Sequence, residues 1–548
     1  MTDYDFEITE VSTLEDIFPQ KRDCLKELKE YLFKKSSSRI CILYGLRRTG
    51  KTVLLKQTLL SLDESERKKA VFITCNANTD FYNVLSFIKE SIDNGKRYFC
   101  IDEITYAKNF QNLAEVLSDN FVSNYNARII LTGTDSLGLS LPSHSNLYDR
   151  AEFIHTTYMS FPEFSRIMNN NSIDFYMKHG NTLSEVNPFE DYNSANEYIE
   201  TSVVSNMINS LHKSEGVRTY PPALTELYEN GELENAIQRI INQYPQKITM
   251  RALRKQFELS PFENAINTLT KIRDNPDLFL KSVVIGERIT DNARKLLKID
   301  DFKTSVSQQH LDDIKYFLEE MDVILTVPVV TSYKNNKTDV DMELITHPGM
   351  YHANLLYTIN ELKKDDNWLP KATKAQKESL LKSVYECSAG KILENFVITD
   401  IFKMLNRDNL NDLYENETRW YVSKFSHNVQ GVFEEADLII FDKLEKGVYL
   451  FEIKHSSEIH ENQTRHLKSN SFIEYIENNF GTVKERIVLY TGKNNINSSI
   501  KRFNVSDFLK HIYEHCHEEN YSVADTIDFL SKNKNIRISQ NNCYEYER

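Results

Sequence analysis

Residues 39–60 read RICILYGLRRTGKTVLLKQTLL: an apolar run, a loop bounded by glycines, then a helical pattern. Within it, Gly45-Leu46-Arg47-Arg48-Thr49-Gly50-Lys51-Thr52 matches GxxxxGK[ST], with a strand-like run before it and a helix-like run after it. Each position has a chemical reason. Gly45 and Gly50 let the loop wrap so that backbone N–H groups, those of Arg48 and Thr49 among them, point at phosphate oxygens. The helix that follows adds its positive N-terminal end. Lys51 is expected to bridge the β- and γ-phosphates, and Thr52 to place its hydroxyl on Mg²⁺. ATP and Mg²⁺ are therefore the expected cofactors. The bland alternative is a glycine turn with an incidental lysine. With 15 glycines in 548 residues, and with this context on both sides, the phosphate reading outweighs it.

Working outward, further β-rich runs occur at AVFITCN (70–76), RYFCIDE (97–103), ARIILTGT (127–134) and AEFIHTTY (151–158), with helical stretches between most of them. Such alternation predicts a mostly parallel sheet covered by helices on both faces. Asp102 ends an apolar strand and is expected to hold Mg²⁺ through its water shell, while Glu103 is placed to polarise an attacking water. A strand-end acidic pair is otherwise an ordinary solvated feature, and its value here comes from the loop upstream. Thr132 and Thr134, at the tip of the next strand, are candidate γ-phosphate sensors, against the alternative of a capping turn. Arg150 is the first candidate for an arginine that reads the γ-phosphate, with Arg47 and Arg48 competing. A surface ion pair is the alternative for all three.

The composition bounds the rest. Length alone suggests roughly three domains. Hydrophobic residues at 40% and charged residues at 27% exclude a wholly disordered chain. A net charge of −14 excludes a globally basic nucleic-acid binder, and residues 385–548 are themselves acidic, with 20 Lys/Arg against 26 Asp/Glu. Seven cysteines form no CxxC pair, and Cys41, Cys75 and Cys100 sit in apolar runs, so buried thiols and a cytoplasmic location are expected. The acidic start MTDYDFEITE has no apolar core, so no signal peptide is expected. No window is long and apolar enough to predict a membrane partner.

GLRRTGKT, YFCIDEI, ILTGTDS and DRAEFIHTTYMSFPEF together resemble the prokaryotic AAA-type P-loop ATPases that carry a restriction-endonuclease-like C-terminal domain. THPGMYHANLL (346–356) is similar to that family's segment ahead of the C-terminal domain, and GKILENFVITDIF (390–402) to its first helix. The resemblance implies an α/β fold: an additional-strand P-loop NTPase sheet, a helical or winged-helix-like middle region, and a restriction-endonuclease-like α/β end. The expected divisions are an ATPase core (1–165), a helical lid (166–235), a helical connector (236–345), a linker (346–383), the endonuclease-like domain (384–515) and a tail (516–548). Within the connector, ITMRALRKQFELSPFENAINTLTKI (248–272) reads as a helix-turn-helix, with an ordinary helical lid as the alternative. Thr134 stands where the family usually has serine.

Carried over residue by residue, the endonuclease-like motif falls on Glu394, Asp437, Glu452 and Lys454. Strand alternation puts Glu452 and Lys454 on one face of GVYLFEIKH (447–455), with Ile453 on the other. Asp437 and Glu452 would hold Mg²⁺, the metal would activate water, and the lysine would stabilise charge or help deprotonate the water. Glu394 would add a ligand from the first helix, and Gln463 would orient water or metal. His455, His460 and His466 match no zinc spacing. The alternative for Glu-x-Lys is an exposed strand face.

The leading expectation is an ATP-hydrolysing switch coupled to a Mg²⁺-dependent nuclease-like domain acting on DNA or RNA, in defence or mobile-element biology. An arginine acting in trans would require a homo-oligomer. The competing expectation is an ATP-gated binding protein whose endonuclease-like fold is an interaction module. A metabolic kinase ranks last, because the Asp-Glu pair and the sensor-like strand favour water over an acceptor hydroxyl.

Overall fold

The computed structural model describes residues 4–533 other than 16–17, 111–115, 136–149, 185–186, 214–221, 260–286, 288, 298–305, 334–335, 366, 370–371, 407–418, 430–431, 497–498 and 519–520. Strands β1 (Glu7–Thr9), β2 (Ile40–Tyr44), β3 (Ala70–Thr74), β4 (Tyr98–Asp102), β5 (Arg128–Thr132) and β6 (Ala151–His155) form one sheet in the order β1-β3-β4-β5-β2-β6. β2 to β6 run parallel, and β1 adds antiparallel to β3. The apolar runs are continuous because both faces are covered. Ile40 and Ile42 enter one buried layer with Ile73, Ile101 and Leu131, and Cys41 and Leu43 enter the other with Phe72, Cys100 and Ile130. The loop Gly45–Gly50, Asp102 and Thr132 all follow or end parallel strands, so the sheet collects them along one edge. Helix α1 (Lys51–Leu60) starts directly from the loop.

The second sheet draws on distant parts of the chain. β7 (Ile324–Tyr333), β8 (Asn336–Ile345), β9 (Trp420–Val429), β10 (Val432–Asp442), β11 (Gly447–Lys454), β12 (Thr482–Tyr490) and β13 (Lys501–Asn504) lie in the order β13-β12-β11-β10-β9-β7-β8. β9, β10 and β11 are antiparallel neighbours, β12 and β13 continue parallel to β11, and β7 runs parallel to β9.

Along the chain after β6 come helices α2 (Phe161–Ile167), α3 (Ile173–His179), α4 (Leu233–Leu259), α5 (Pro348–Lys364) and α6 (Lys374–Leu405), with α7 (Asn470–Asn479), α8 (Val505–His515) and α9 (Val523–Lys532) following in the C-terminal part. α6 begins at a capping box of Thr373 with Gln376 and is buried without interruption from Ile392 to Leu405. A helix enclosed all round belongs in a core. The polar residues it carries there, Glu394, Asn395, Thr399, Asp400 and Lys403, therefore need partners.

Several expected boundaries differ. Residues 324–333 and 336–345, read as part of a helical connector, are two ten-residue strands of the second sheet, in keeping with the β-branched run ILTVPVVTSY. The expected linker 346–383 is mostly helix, and α5 is buried from Pro348 to Leu355. Part of the expected tail packs inward, through Val523, Ile527 and Leu530 of α9. The first half of the helix-turn-helix segment continues α4 through Pro245 as one helix; its turn and second half lie outside the described residues. The separation into connector, linker and domain gives way to a single buried apolar cluster running from Leu46 to Leu530.

Ile527 is buried at 1% exposure. Ile527→Ala should therefore cost about 3 kcal/mol, read as a drop in denaturation midpoint. An unchanged midpoint would show that α9 is not part of the cooperative core.

Candidate functional site

At the edge of the first sheet the loop has the geometry its glycines permit. Gly50 has φ 88°, and a Cβ on Gly45 would collide with the Thr156 hydroxyl of the adjoining strand end. Lys51 Nζ donates to the carbonyls of Gly45 and Leu46, each at 2.8 Å. Burial lowers its pKa to about 8, against the opposing pull of Glu103 and Asp102. Thr52 hydrogen-bonds to Asp102, whose carboxyl is raised by burial. Glu103 adopts a left-handed backbone (φ 55°) and accepts the Thr134 N–H at 3.2 Å, so the strand-tip threonine and the water-polarising candidate are in contact. Thr132 Oγ1 is buried with no hydrogen-bond partner among the described residues. A donor left over at the loop edge, a glycine-lined cradle and a desolvated carboxylate beside a hydroxyl fit a nucleotide phosphate with its Mg²⁺.

The arginines divide differently. Arg150 precedes β6 at the opposite end of the parallel strands from the loop, and its Nε meets Asp119 at 3.1 Å. The structure does not bring it to its own chain's phosphate loop. Arg47 is half-buried and Arg48 exposed, both on the loop itself. The arginine that grips the loop is Arg22, which no motif marks. It is buried, donates to the carbonyls of Thr49 (2.7 Å), Thr156 (2.9 Å) and Tyr158 (3.0 Å), and pairs with Glu163 at 2.7 Å.

Two chains of contacts lead from the loop to α6. In one, Arg22 holds Thr49 and Tyr158 together, and the Tyr158 hydroxyl donates to Asp400, which also accepts the Phe161 N–H at 2.8 Å. In the other, the Leu46 N–H donates to Thr157 Oγ1 (3.0 Å), which contacts His155 (2.9 Å). His155 lies 3.9 Å from Asp322, and Asp322 is ion-paired with Lys403. Asp400 and Lys403 are one turn apart on α6, and the Lys403 ammonium sits over the Tyr158 ring. Burial pushes the Asp400 carboxyl up to about 7, against these two hydrogen bonds.

Six residues before Asp400, α6 presents Glu394 to the second sheet. Leu438 pairs with Phe451 across β10 and β11, so the next residues along, Asp437 and Glu452, face each other. Lys454 Nζ lies 2.9 Å from Asp437 and 2.5 Å from Glu452, and Asp437 also accepts the Ile453 N–H at 2.8 Å. The structure thus brings Glu394, Asp437, Glu452 and Lys454 to one place. Against β9, Ala436 pairs with Phe425 but Ile439 with Ser423, so Asp437 and Leu438 together oppose Lys424. This bulge re-aims Asp437 within the sheet. Lys424 contacts Glu394 and Glu435 at 2.6 Å each, and Lys391 also pairs with Glu394. Burial and the Asp437 charge push the Glu452 carboxyl up to about 8. Burial would raise Asp437 too, but Lys454, Lys424 and Lys391 hold it well below the usual carboxylate range. A desolvated carboxylate pair beside lysines is what a divalent cation would complete.

Gln463 Oε1 accepts the His460 N–H at 2.8 Å, and His455 pairs with Asp174 of α3 at 2.8 Å. Sequence reasoning misses Glu435, Lys424 and Lys391. Glu435 has a signal, since it stands two residues before Asp437 on the same strand. Lys424 has none, because its place depends on the bulge.

Residues 37–165 match the AAA domain family. No curated protein matches the chain. Among solved structures, an S. cerevisiae Hsp104–ADP complex is similar at a TM-score of 0.24 and 11% identity, over 73% of this chain and 58% of that one. This chain therefore spans less than two thirds of the Hsp104 chain. The family match and the loop geometry agree on an AAA-type P-loop domain over 37–165. Among the described residues, no helix is long and apolar enough to cross a membrane.

Lys51→Ala should lower ATP turnover roughly 100-fold or more; near-normal turnover would remove the phosphate-site assignment. The raised Asp400 carboxyl makes folding less favourable as pH rises between 3.8 and about 7, since the unfolded chain ionises first. Asp400→Asn should flatten that slope in melting temperature against pH. Parallel curves for the variant and the parent protein would contradict it.

Proposed function

We propose that this chain is a Mg²⁺-dependent ATP-hydrolysing switch whose nucleotide state governs a metal-dependent nuclease centre in its C-terminal part. The observation that carries this reading is the convergence of Asp437, Glu452 and Lys454 on adjoining strands, supplemented by Glu394 from α6. Hydrolysis of a phosphodiester needs carboxylates for a cation, an activated water and a fixed positive charge near the developing oxyanion, and these four residues are of the types required. The order helix, three antiparallel strands, then a parallel strand agrees with a restriction-endonuclease-like arrangement and supports the same reading.

In this reading Asp437 and Glu452 hold the Mg²⁺, and Lys454 stabilises charge on the phosphate. DNA or RNA is the substrate class. At the other site Lys51, Thr52 and Asp102 bind the nucleotide and its Mg²⁺, Glu103 polarises water, and Thr132 and Thr134 sense the γ-phosphate. Coupling is supported by α6, which carries Glu394 at one end of its buried stretch and Asp400 and Lys403 nearer the other. A shift of the loop that moved Arg22 or Thr157 would reach α6 through Tyr158 or His155.

The second reading, an interaction module without catalysis, is favoured by the acidity of residues 385–548, which offer no excess of Lys/Arg to a phosphate backbone.

Glu452→Gln and Lys454→Ala should each abolish Mn²⁺-dependent cleavage of labelled DNA or RNA while leaving ATP hydrolysis near normal. Absence of any cleavage by the parent protein, with and without ATP, would favour the interaction module. Tyr158→Phe should retain both activities but weaken the dependence of cleavage on ATP. An undiminished ATP effect would place the coupling elsewhere.

A further inference from the structure

The C-terminal centre has two halves. In one, Asp437 and Glu452 share Lys454. In the other, carboxylate oxygens of Glu394, Glu435 and Asp437 lie within 4.8 Å of one another, a spacing from which three carboxylates can reach a common cation. That second position is taken. Lys424 Nζ stands 2.6 Å from Glu394 and 2.6 Å from Glu435, on a side chain 11% exposed.

We propose that Lys424 is a built-in cation: its ammonium fills the position of a second divalent ion, so that the centre accepts one Mg²⁺ or Mn²⁺ rather than two. The inference rests on the metal centre of the proposed function and specifies its stoichiometry.

Three features carry it. The strand register places Lys424 alone opposite the Asp437–Leu438 bulge, so its side-chain ammonium is tethered to β9 and cannot dissociate as an ion would. Lys391 reaches Glu394 from one turn earlier on α6, leaving that carboxylate with two ammonium partners in place of a metal. The charges also balance. Once a bound cation has displaced the Glu452 proton, four carboxylates (Glu394, Glu435, Asp437, Glu452) face three ammonium groups (Lys391, Lys424, Lys454), one negative charge in excess. One divalent ion and one bridging phosphodiester would bring the sum to zero, whereas a second ion would leave two positive charges buried. Centres with two metals hold them about 3.5–4 Å apart to stabilise both the attacking and the leaving oxygen. Here a fixed single charge replaces one of them. Lys424 acts through Glu394 and Glu435 and is a positioning residue.

The test is a count of Mn²⁺ bound to the full-length chain without nucleotide, by electron paramagnetic resonance titration. The parent protein should bind one ion, lost in Glu452→Gln. Lys424→Met should bind two, and the double variant K424M/E435Q should return to one. Lys424→Arg, which keeps the charge, should stay at one. Two ions on the parent protein, or one on folded Lys424→Met, would overturn the inference while leaving the nuclease centre standing. No Glu452-dependent ion on the parent protein would overturn the proposed function and the inference together. If Lys424→Met does not fold without metal, Lys424→Gln, which keeps a donor between the two carboxylates, is counted with the same expectation of two.

Discussion

Asp400 reaches from the middle of an enclosed helix to accept hydrogen bonds from the Tyr158 hydroxyl and the Phe161 backbone, and the relation between the two sheets depends on that contact. A carboxylate in such a place is costly unless both its oxygens are used. Each is used here, one on the strand-end tyrosine and one on the first residue of α2. The same tyrosine offers its carbonyl to Arg22, which in turn holds the carbonyl of Thr49 in the phosphate loop. Loss of any one link would leave a buried polar group without a partner. The chain from Thr49 to Asp400 therefore tends to move together or not at all.

The second centre obeys the same rule with full charges. A buried carboxylate pair gains little unless its lone pairs are filled, and removing one partner of a buried ion pair is strongly destabilising. Asp437 meets this with Lys454 and the Ile453 N–H, and Glu394 with Lys424 and Lys391. Glu452 has Lys454 as well, but burial and the neighbouring Asp437 charge outweigh it and push its carboxyl up to about 8. The local lysines also bear on the acidity of residues 385–548. Three of the segment's lysines, Lys391, Lys424 and Lys454, are spent on the carboxylates of this cluster.

Much of the first sheet is legible in the sequence. Its strands are short apolar runs closed by a loop motif, and the residue types at positions 45, 50, 51, 52 and 102 form a recognisable pattern around that loop. Asp437, Glu452 and Lys454 are legible for a related reason, since alternation along a strand decides which side chains share a face. The middle of the chain is easily misread because helical spacing there masks an extended run. β7 pairs with β9 some ninety positions later, and no local pattern announces so distant a partner. α5 resembles a linker because of its charged end at Lys363 and Lys364, whereas its first turns are buried. Adjacency to a strand suggests Arg150 for the phosphate, but it stands at the wrong end of that strand.

The sequence by itself determined the phosphate loop, its Asp-Glu partner and the carboxylate-lysine face of β11, because each is a short segment whose geometry follows from its own residues. The tertiary structure alone decided that Arg22 grips the loop, that Tyr158 and Asp400 join the AAA domain to α6, and that Lys424 stands between Glu394 and Glu435. Those contacts join residues far apart in the chain, and they exist only because a bulge shifts one register and burial forces every polar group on α6 to find a partner.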